Sequence, residues 1–293
     1  MLEKLGPHQI VVSFSPYVND SGAYADLVLP DHHSLETTAA VLPAVSPGPA
    51  WMLATPFVQP LFESRATEQV LVELGKKLNA AFEPATPRAM LEKTLPAGQS
   101  WEETTRLGGL WGQPGPAPPP RPAPGALEVA PAVFSGSETE FPLHLQPYFT
   151  VQFYDGRGAN HPWMQELPDP ASSAMWGLPV EVDPQTAAKL GIRTGDLVRV
   201  ISPHGEMEAP AFVHPAAAPG VVSMGIGQGH GHYGRYASNR GANPLSILGL
   251  VWEPVTGALA YGATRVRLMR LPGRGNLIQF SPQDREQGPW GRR

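Results

Sequence analysis

The sequence predicts a mixed, α+β fold: a partial α/β segment of short strands and helices, followed by a closed β-barrel. Three observations predict it. Short apolar runs separated by turn signals recur through the C-terminal half. Capped helical starts are confined to Thr67, Thr86-Pro87 and Ser100, and to one stretch from Asp183 through Leu190. Between the two patterns, Pro114 to Pro124 holds seven prolines in eleven residues. Such a run is extended and semi-rigid, so it reads as a spacer between domains. The expected organisation is residues 1–112, a linker at 113–139, a barrel at 140–285 and a tail at 286–293.

The N-terminal elements come first. Ile10 to Phe14 is a short apolar strand, and Asn19-Asp20-Ser21-Gly22 is a turn signal. Leu27-Val28-Leu29 before Pro30 reads as a second short, buried strand. Thr67 is placed to cap a helix whose Val70, Leu71, Leu74 and Leu78 share one face. Thr86-Pro87 opens another helix, with proline at its first position. Ser100 with Glu103 predicts a capping box for a third. Two short strands and a few helices are a thin core for an independent domain. The segment reads as the end of an α/β domain that begins elsewhere.

The C-terminal elements are mostly strands. Tyr148 to Tyr154 alternates as one, and Val180-Glu181-Val182 forms another. Asp183-Pro184 caps a helix through Leu190, which Gly191 ends. Leu197 to Ile201 and Glu206 to Val213 form a hairpin about the Ser202-Pro203-His204-Gly205 turn. Val221 to Met224 follows. Val266 and Leu268 alternate with Arg265 and Arg267 in a late strand with one wet face.

Composition excludes several functions. The chain has 35 prolines, 31 glycines and no cysteine among 293 residues. No disulfide, thiolate zinc site, cysteine nucleophile or cysteine-ligated iron–sulfur cluster can be built from it. A thiol-free chain suits either redox compartment, so no localisation follows. The net charge of −5 argues against a nucleic-acid partner. Charged residues make up only 16%, which points to a surface partly covered by a partner. No run is long and apolar enough for a membrane span, and the first residues show no signal-peptide pattern.

The densest unusual stretch runs from Gly225 to Tyr236, with glycines at 225, 227, 229, 231 and 234. Glycines permit positive φ and close backbone approach, and successive amides can form an anion nest. Arg235 and Arg240 are suited to phosphate, while Tyr233, Tyr236 and the histidines offer stacking faces. No apolar helix period follows the loop, which excludes a Rossmann site. A nucleotide-like ligand and a ligand-free glycine loop both remain open on these residues. A second polar glycine loop, Asp155 to His161, also follows a strand. His230 with His232, and His32 with His33, lack a third ligand at metal spacing and read as structural. No G-x-S-x-G elbow is present. Glu102 and Glu103 read as solvated helix residues.

Four passages, in order, resemble the C-terminal part of molybdopterin oxidoreductases of the dimethyl sulfoxide reductase family. They are Val12 to Asp20 with Ala25 to Asp31 and Glu36; Pro60 to Ala66 leading into Val70 to Leu78; Asn160 to Pro170 with Leu190 to Val198; and Gly227 to His230 with Tyr233 to Ala237 and Gly241 to Pro244. The resemblance implies a six-stranded double-psi β-barrel and a molybdopterin guanine dinucleotide carrying molybdenum. Asp155, Arg157, Asn160 and His161 would line one side of that ligand. Gln228, His230, Tyr233 and Asn243 would line the other, and Asn19, Asp20 and Glu36 would approach the pterin. The metal ligand and the iron–sulfur cluster would reside on an N-terminal catalytic portion or partner subunit. The Asn160 to Pro170 passage is also similar to molybdopterin-like subunits of membrane quinone oxidoreductase complexes, some of which hold no molybdenum. That likeness implies an iron–sulfur subunit and a membrane quinone-binding subunit as partners, and is compatible with the periplasmic face of the membrane.

Overall fold

A computed structural model of the chain describes residues 9–43, 48–79, 81, 83, 86–113, 131–254 and 256–280. The proline run and the tail expected at 286–293 lie outside the described residues. The chain divides into two compact units, residues 1–127 and 128–293.

In the first unit, β1 (Val12–Ser13) pairs in parallel with β2 (Leu27–Val28). The expectation of a buried second strand is corrected: Leu27 is 47% exposed, because β2 has only β1 beside it in a two-stranded sheet. β3 (Ala39–Val41), β4 (Ala50–Ala54) and a later strand make an antiparallel sheet, with Trp51 and Leu53 of β4 buried. α1 (Thr67–Leu78) begins without a side-chain cap from its own N-cap residue, Ala66. The Asp31 carboxylate instead accepts the Thr67 N–H at 2.9 Å, from 36 residues away. On α1, Leu71, Leu74 and Leu78 of the expected apolar face are exposed in this chain, and Val72 is the buried residue.

α2 (Pro87–Thr94) starts as expected, with the Thr86 hydroxyl accepting from the Ala89 N–H at 3.2 Å. α3 (Trp101–Leu107) has half of its capping box. Ser100 accepts from the Glu103 N–H, but the Glu103 carboxylate turns to Arg106 at 2.6 Å. β5 (Gly109–Trp111) completes the antiparallel sheet. No helix among the described residues is long and apolar enough to cross a membrane.

The second unit is built on β6 (Leu143–Tyr148), followed by α4 (Pro162–Glu166) and β7 (Ala174–Met175). β8 (Val180–Val182), α5 (Pro184–Leu190), β9 (Asp196–Ser202), β10 (Gly205–Val213) and β11 (Val221–Gly225) come next. α6 (Gly234–Ala237), β12 (Thr264–Arg274) and β13 (Ile278–Gln279) complete it. Six of these strands close a barrel in the order β10-β8-β11-β6-β12-β9. The pairs β8/β10 and β6/β11 are parallel and the rest antiparallel.

Register places the apolar alternation inward. Val222 faces Leu145 on one side and Val182 on the other, and Leu268 faces Val200. Leu145, Val180, Val182, Val200, Val222 and Val266 are fully buried. Each such side chain contributes about 1.5–3 kcal/mol on leaving water. The strand expected at Tyr148 to Tyr154 is corrected: pairing with β11 stops at Tyr148. Beyond it the Tyr154 N–H closes a turn on the Thr150 carbonyl at 2.9 Å, with Tyr154 at φ 51°. Alternation alone fits either placement, and the buried ladder on Leu143 and Leu145 decides it. Ser135 joins this unit too, its N–H bonding the Ala263 carbonyl at 2.8 Å.

Candidate functional site

Parallel neighbours in a sheet release their chains at the same end. β6 and β11 are such neighbours, with Gly225 opposite Tyr148. The Ile226 N–H continues the ladder by bonding the Tyr148 carbonyl at 2.9 Å. The polar loop after β6 and the glycine loop after β11 therefore meet over one end of the barrel.

Glycine is what lets them touch. Gly227 has φ +103°, and a Cβ there would stand 2.5 Å from Phe153 Cβ and 3.2 Å from the Gly156 nitrogen. Two hydrogen bonds then tie the loops. Tyr233 Oη donates to the Arg157 carbonyl at 2.9 Å, and the Tyr236 N–H donates to Asn160 Oδ1 at 3.1 Å. Within the barrel end, Gln228 Nε2 donates to Gln165 Oε1 at 2.8 Å, and Gln165 Nε2 to the Ala159 carbonyl at 2.6 Å. The glycine loop also folds back on itself. The Gly229 N–H bonds the Arg240 carbonyl and the Asn239 N–H bonds the His230 carbonyl, each at 2.7 Å.

All eight barrel residues proposed from sequence lie on or directly against this junction. Arg157 grips Asp155 through two bonds of 2.9 and 2.7 Å. That ion pair holds the Asp155 carboxyl below the ordinary range and raises Arg157 further. Asn160 joins the loops, and His161 packs against Trp163 with ring centroids 4.9 Å apart. His230 and Tyr233 rings lie 5.0 Å apart. Gln228 is almost wholly buried and braces the scaffold. Asn243 sits past the glycine loop, where its Oδ1 accepts the Leu245 N–H and caps a short 3-10 turn. The three remaining residues belong to the first unit. Asn19 Oδ1 accepts the Gly22 N–H at 2.8 Å, next to Asp20. Glu36 accepts the His33 and Leu61 N–H groups at 2.8 and 3.0 Å, which lowers its pKa.

Sequence reasoning passed over Gln165 and Trp176. Gln165 is fully buried, and its carbonyl accepts the Trp176 N–H at 2.9 Å. Trp176 carries Arg240 over its ring at 4.7 Å. Nothing local marks either residue, since their partners are remote in sequence. Among the described residues no group of three or more His, Cys, Asp or Glu side chains is placed to hold a metal ion.

The loops carry a distinct charge. Residues 155–161 and 225–243 hold three arginines, 157, 235 and 240, against the single carboxylate Asp155. In a chain of net charge −5 this is a local excess of positive charge. Beside the loops, Gln146, Pro147, Tyr148, Phe149, Ile226 and Tyr261 line a cavity of about 300 Å³. The Tyr148 hydroxyl donates to buried Glu181 at 2.7 Å. Burial first, and the Glu181 charge second, push that phenol far above its ordinary pKa, so it stays protonated.

Comparison with known proteins gives consistent results. Residues 155–264 match the family described as the molydopterin dinucleotide binding domain. The molybdopterin-containing subunit of an arsenate respiratory reductase from a Shewanella species is 34% identical over 145 residues, 46% of this chain and 17% of that protein. A menaquinone reductase molybdopterin-binding-like subunit from Nitratidesulfovibrio vulgaris is 25% identical, over 88% of this chain and 37% of its own length. The thiosulfate reductase molybdopterin-containing subunit of Salmonella typhimurium is 27% identical, over 87% and 39% respectively. Among solved structures, acetylene hydratase from Pelobacter acetylenicus superposes with a TM-score of 0.65 at 16% identity, over 87% of this chain and 39% of that one. The chain thus spans well under half the length of these relatives.

Proposed function

We propose that this chain, whose residues 155–264 form a molybdopterin dinucleotide-binding domain of the kind found in molybdopterin oxidoreductases, is the C-terminal cofactor-holding portion of such an enzyme. The observation that carries the reading is the junction of the two loops. A cationic, glycine-lined surface is assembled where parallel strands end, and it is suited to a flat ligand bearing phosphates. The two parallel pairs inside the closed barrel support its reading as a double-psi barrel.

The three arginines and the glycine-lined backbone fit a phosphate-bearing dinucleotide, which we read as the guanine form. Arg157, Asn160 and His161 would hold it from one loop, and His230 and Tyr233 from the other. Gln228, through Gln165, fixes the distance between those loops, and Asn243 fixes the exit of the second. When bound, the cofactor supplies the molybdenum centre at which oxidation and reduction occur. This chain's residues bind, orient and exclude water. Having no cysteine, the chain provides neither a thiolate metal ligand nor a cysteine-ligated cluster. Those belong to an N-terminal catalytic portion or subunit. Phe57, Leu61 and Phe62 of the first unit, 85%, 77% and 79% exposed, are an apolar surface suited to such a partner.

A second reading has one specific observation in its favour. The menaquinone reductase relative matches across most of this chain and is named molybdopterin-binding-like. On that reading the chain is a non-catalytic subunit of a respiratory complex, with an iron–sulfur subunit and a membrane quinone-binding subunit beside it. Pterin fluorescence and molybdenum analysis of protein purified with its native partners separate the two. Both signals are expected, and the loss of both would favour the structural subunit.

A further inference from the structure

Arg240 is held in a way that the loop junction itself does not require. Its carbonyl accepts the Gly229 N–H at 2.7 Å, and its guanidinium lies over the Trp176 ring at 4.7 Å. The Trp176 backbone N–H donates to the Gln165 backbone carbonyl, and the Gln165 side-chain Oε1 accepts from Gln228, the neighbour of Gly229. The contacts close into a ring that presents one guanidinium. Gly229, at φ +82°, cannot be replaced without cost, because a Cβ there would meet the Ala242 carbonyl carbon at 2.6 Å.

Two properties of that guanidinium stand out. Among the described residues Arg240 has no carboxylate within ion-pair distance, unlike Arg157, Arg199, Arg265 and Arg270. Its Nε is buried and makes no hydrogen bond. A buried, charged donor without an acceptor is rare in folded proteins and points to a group that completes it. Trp176 also adopts φ 58°, a left-handed conformation that a bulky side chain seldom takes. The seat beneath the guanidinium is therefore fixed against a local backbone preference.

We propose that Arg240, positioned by Trp176, forms an anionic subsite that takes a phosphate of the ligand. The planar fork of an arginine matches a phosphate through two parallel N–H bonds, here one from Nε and one from a terminal nitrogen. The aromatic seat holds the fork flat and removes the need for a carboxylate partner that would compete with the phosphate. The proposal rests on the cofactor-holding reading and assigns the phosphate end of that ligand to one residue.

The test is calorimetric titration of the full chain with inorganic pyrophosphate and, separately, with GDP. Arg240→Gln should weaken both by about tenfold or more, the scale of a lost hydrogen bond to a charged group. Arg240→Lys should recover part of the loss, since it keeps charge without the fork. Trp176→Leu should also weaken both. Arg267→Gln, an exposed arginine on β12, should bind as the unaltered chain does. Melting temperatures report whether each variant is folded, and Trp176→Leu decides the matter if Arg240→Gln does not fold. Unchanged binding in folded Arg240→Gln, or no pyrophosphate binding by the unaltered chain, would overturn the subsite. Neither result touches pterin content, which tests the cofactor reading separately. Weakening for GDP alone would also overturn it, by assigning Arg240 to the nucleoside rather than the phosphate.

Discussion

Asp196 is one carboxylate that holds two distant segments. Its Oδ2 accepts the Arg193 N–H at 2.9 Å and Arg270 Nε at 2.8 Å, so the head of β9 is tied to its neighbouring strand β12. Burial pushes its pKa up, but the Arg270 bond, the Arg193 amide and nearby positive charge outweigh it, and the net shift is downward. A depressed folded pKa means the stabilisation is complete above the ordinary aspartate value of about 4 and is lost as pH falls through the folded value. Asp196→Asn should therefore cost about 1.5–3 kcal/mol at neutral pH, as for a hydrogen bond to a charged group. In urea melts the gap to the unaltered chain should narrow below pH 4, and a gap independent of pH would count against this account. The residue was visible in the Leu190 to Val198 passage, but its partner was not. Arg270 is 74 positions away, and only barrel closure brings it near.

Among the elements, those specified by neighbouring residues were legible. α5 begins where Asp183 Oδ1 accepts the Gln185 and Thr186 N–H groups at 2.9 and 3.1 Å, and it ends at Gly191 with φ 64°. Asp183→Ala should lower barrel stability by about 1–2 kcal/mol, and Asp183→Asn, which keeps an acceptor, by less. Equal losses on denaturant unfolding would show that the capping oxygen is not the source. The β9–β10 hairpin was equally local, its turn closed by the His204 N–H on Ser202 Oγ at 3.0 Å. Features that depend on remote partners were misread. α1 runs over Thr67–Leu78 as expected but takes its cap from Asp31, and the limits of β6 come from its pairing with β11 and β12. The same division runs through the site. The glycines and the charged residues could be read directly, whereas Gln165 and Trp176 acquire roles only when the loops meet.

Among the described residues, the closed hydrogen-bonded ladder over a buried core is that of the barrel. Its six strands leave no open edge in the ring, while β1 and β2 form a two-residue pair with Val12 and Leu27 40% and 47% exposed. Amides that exchange only through cooperative opening need a closed ladder over a buried core. Hydrogen exchange followed by mass spectrometry should find the slowest amides in β6 and β8–β12. β1 and β2 should exchange much faster. Comparable protection in both units of the chain alone would contradict this distribution.

By itself the sequence determined the strands' apolar alternation, the caps of α2 and α5, the two glycine loops and the resemblance that they carry. These are properties of adjacent residues, set by backbone propensity and by side chains that reach their own turn. Tertiary structure alone decided where β6 ends, which carboxylate caps α1 and that Arg240 sits on Trp176. Each of these depends on a partner remote along the chain: closing the barrel supplies it for β6 and Arg240, and folding of the first unit supplies it for α1.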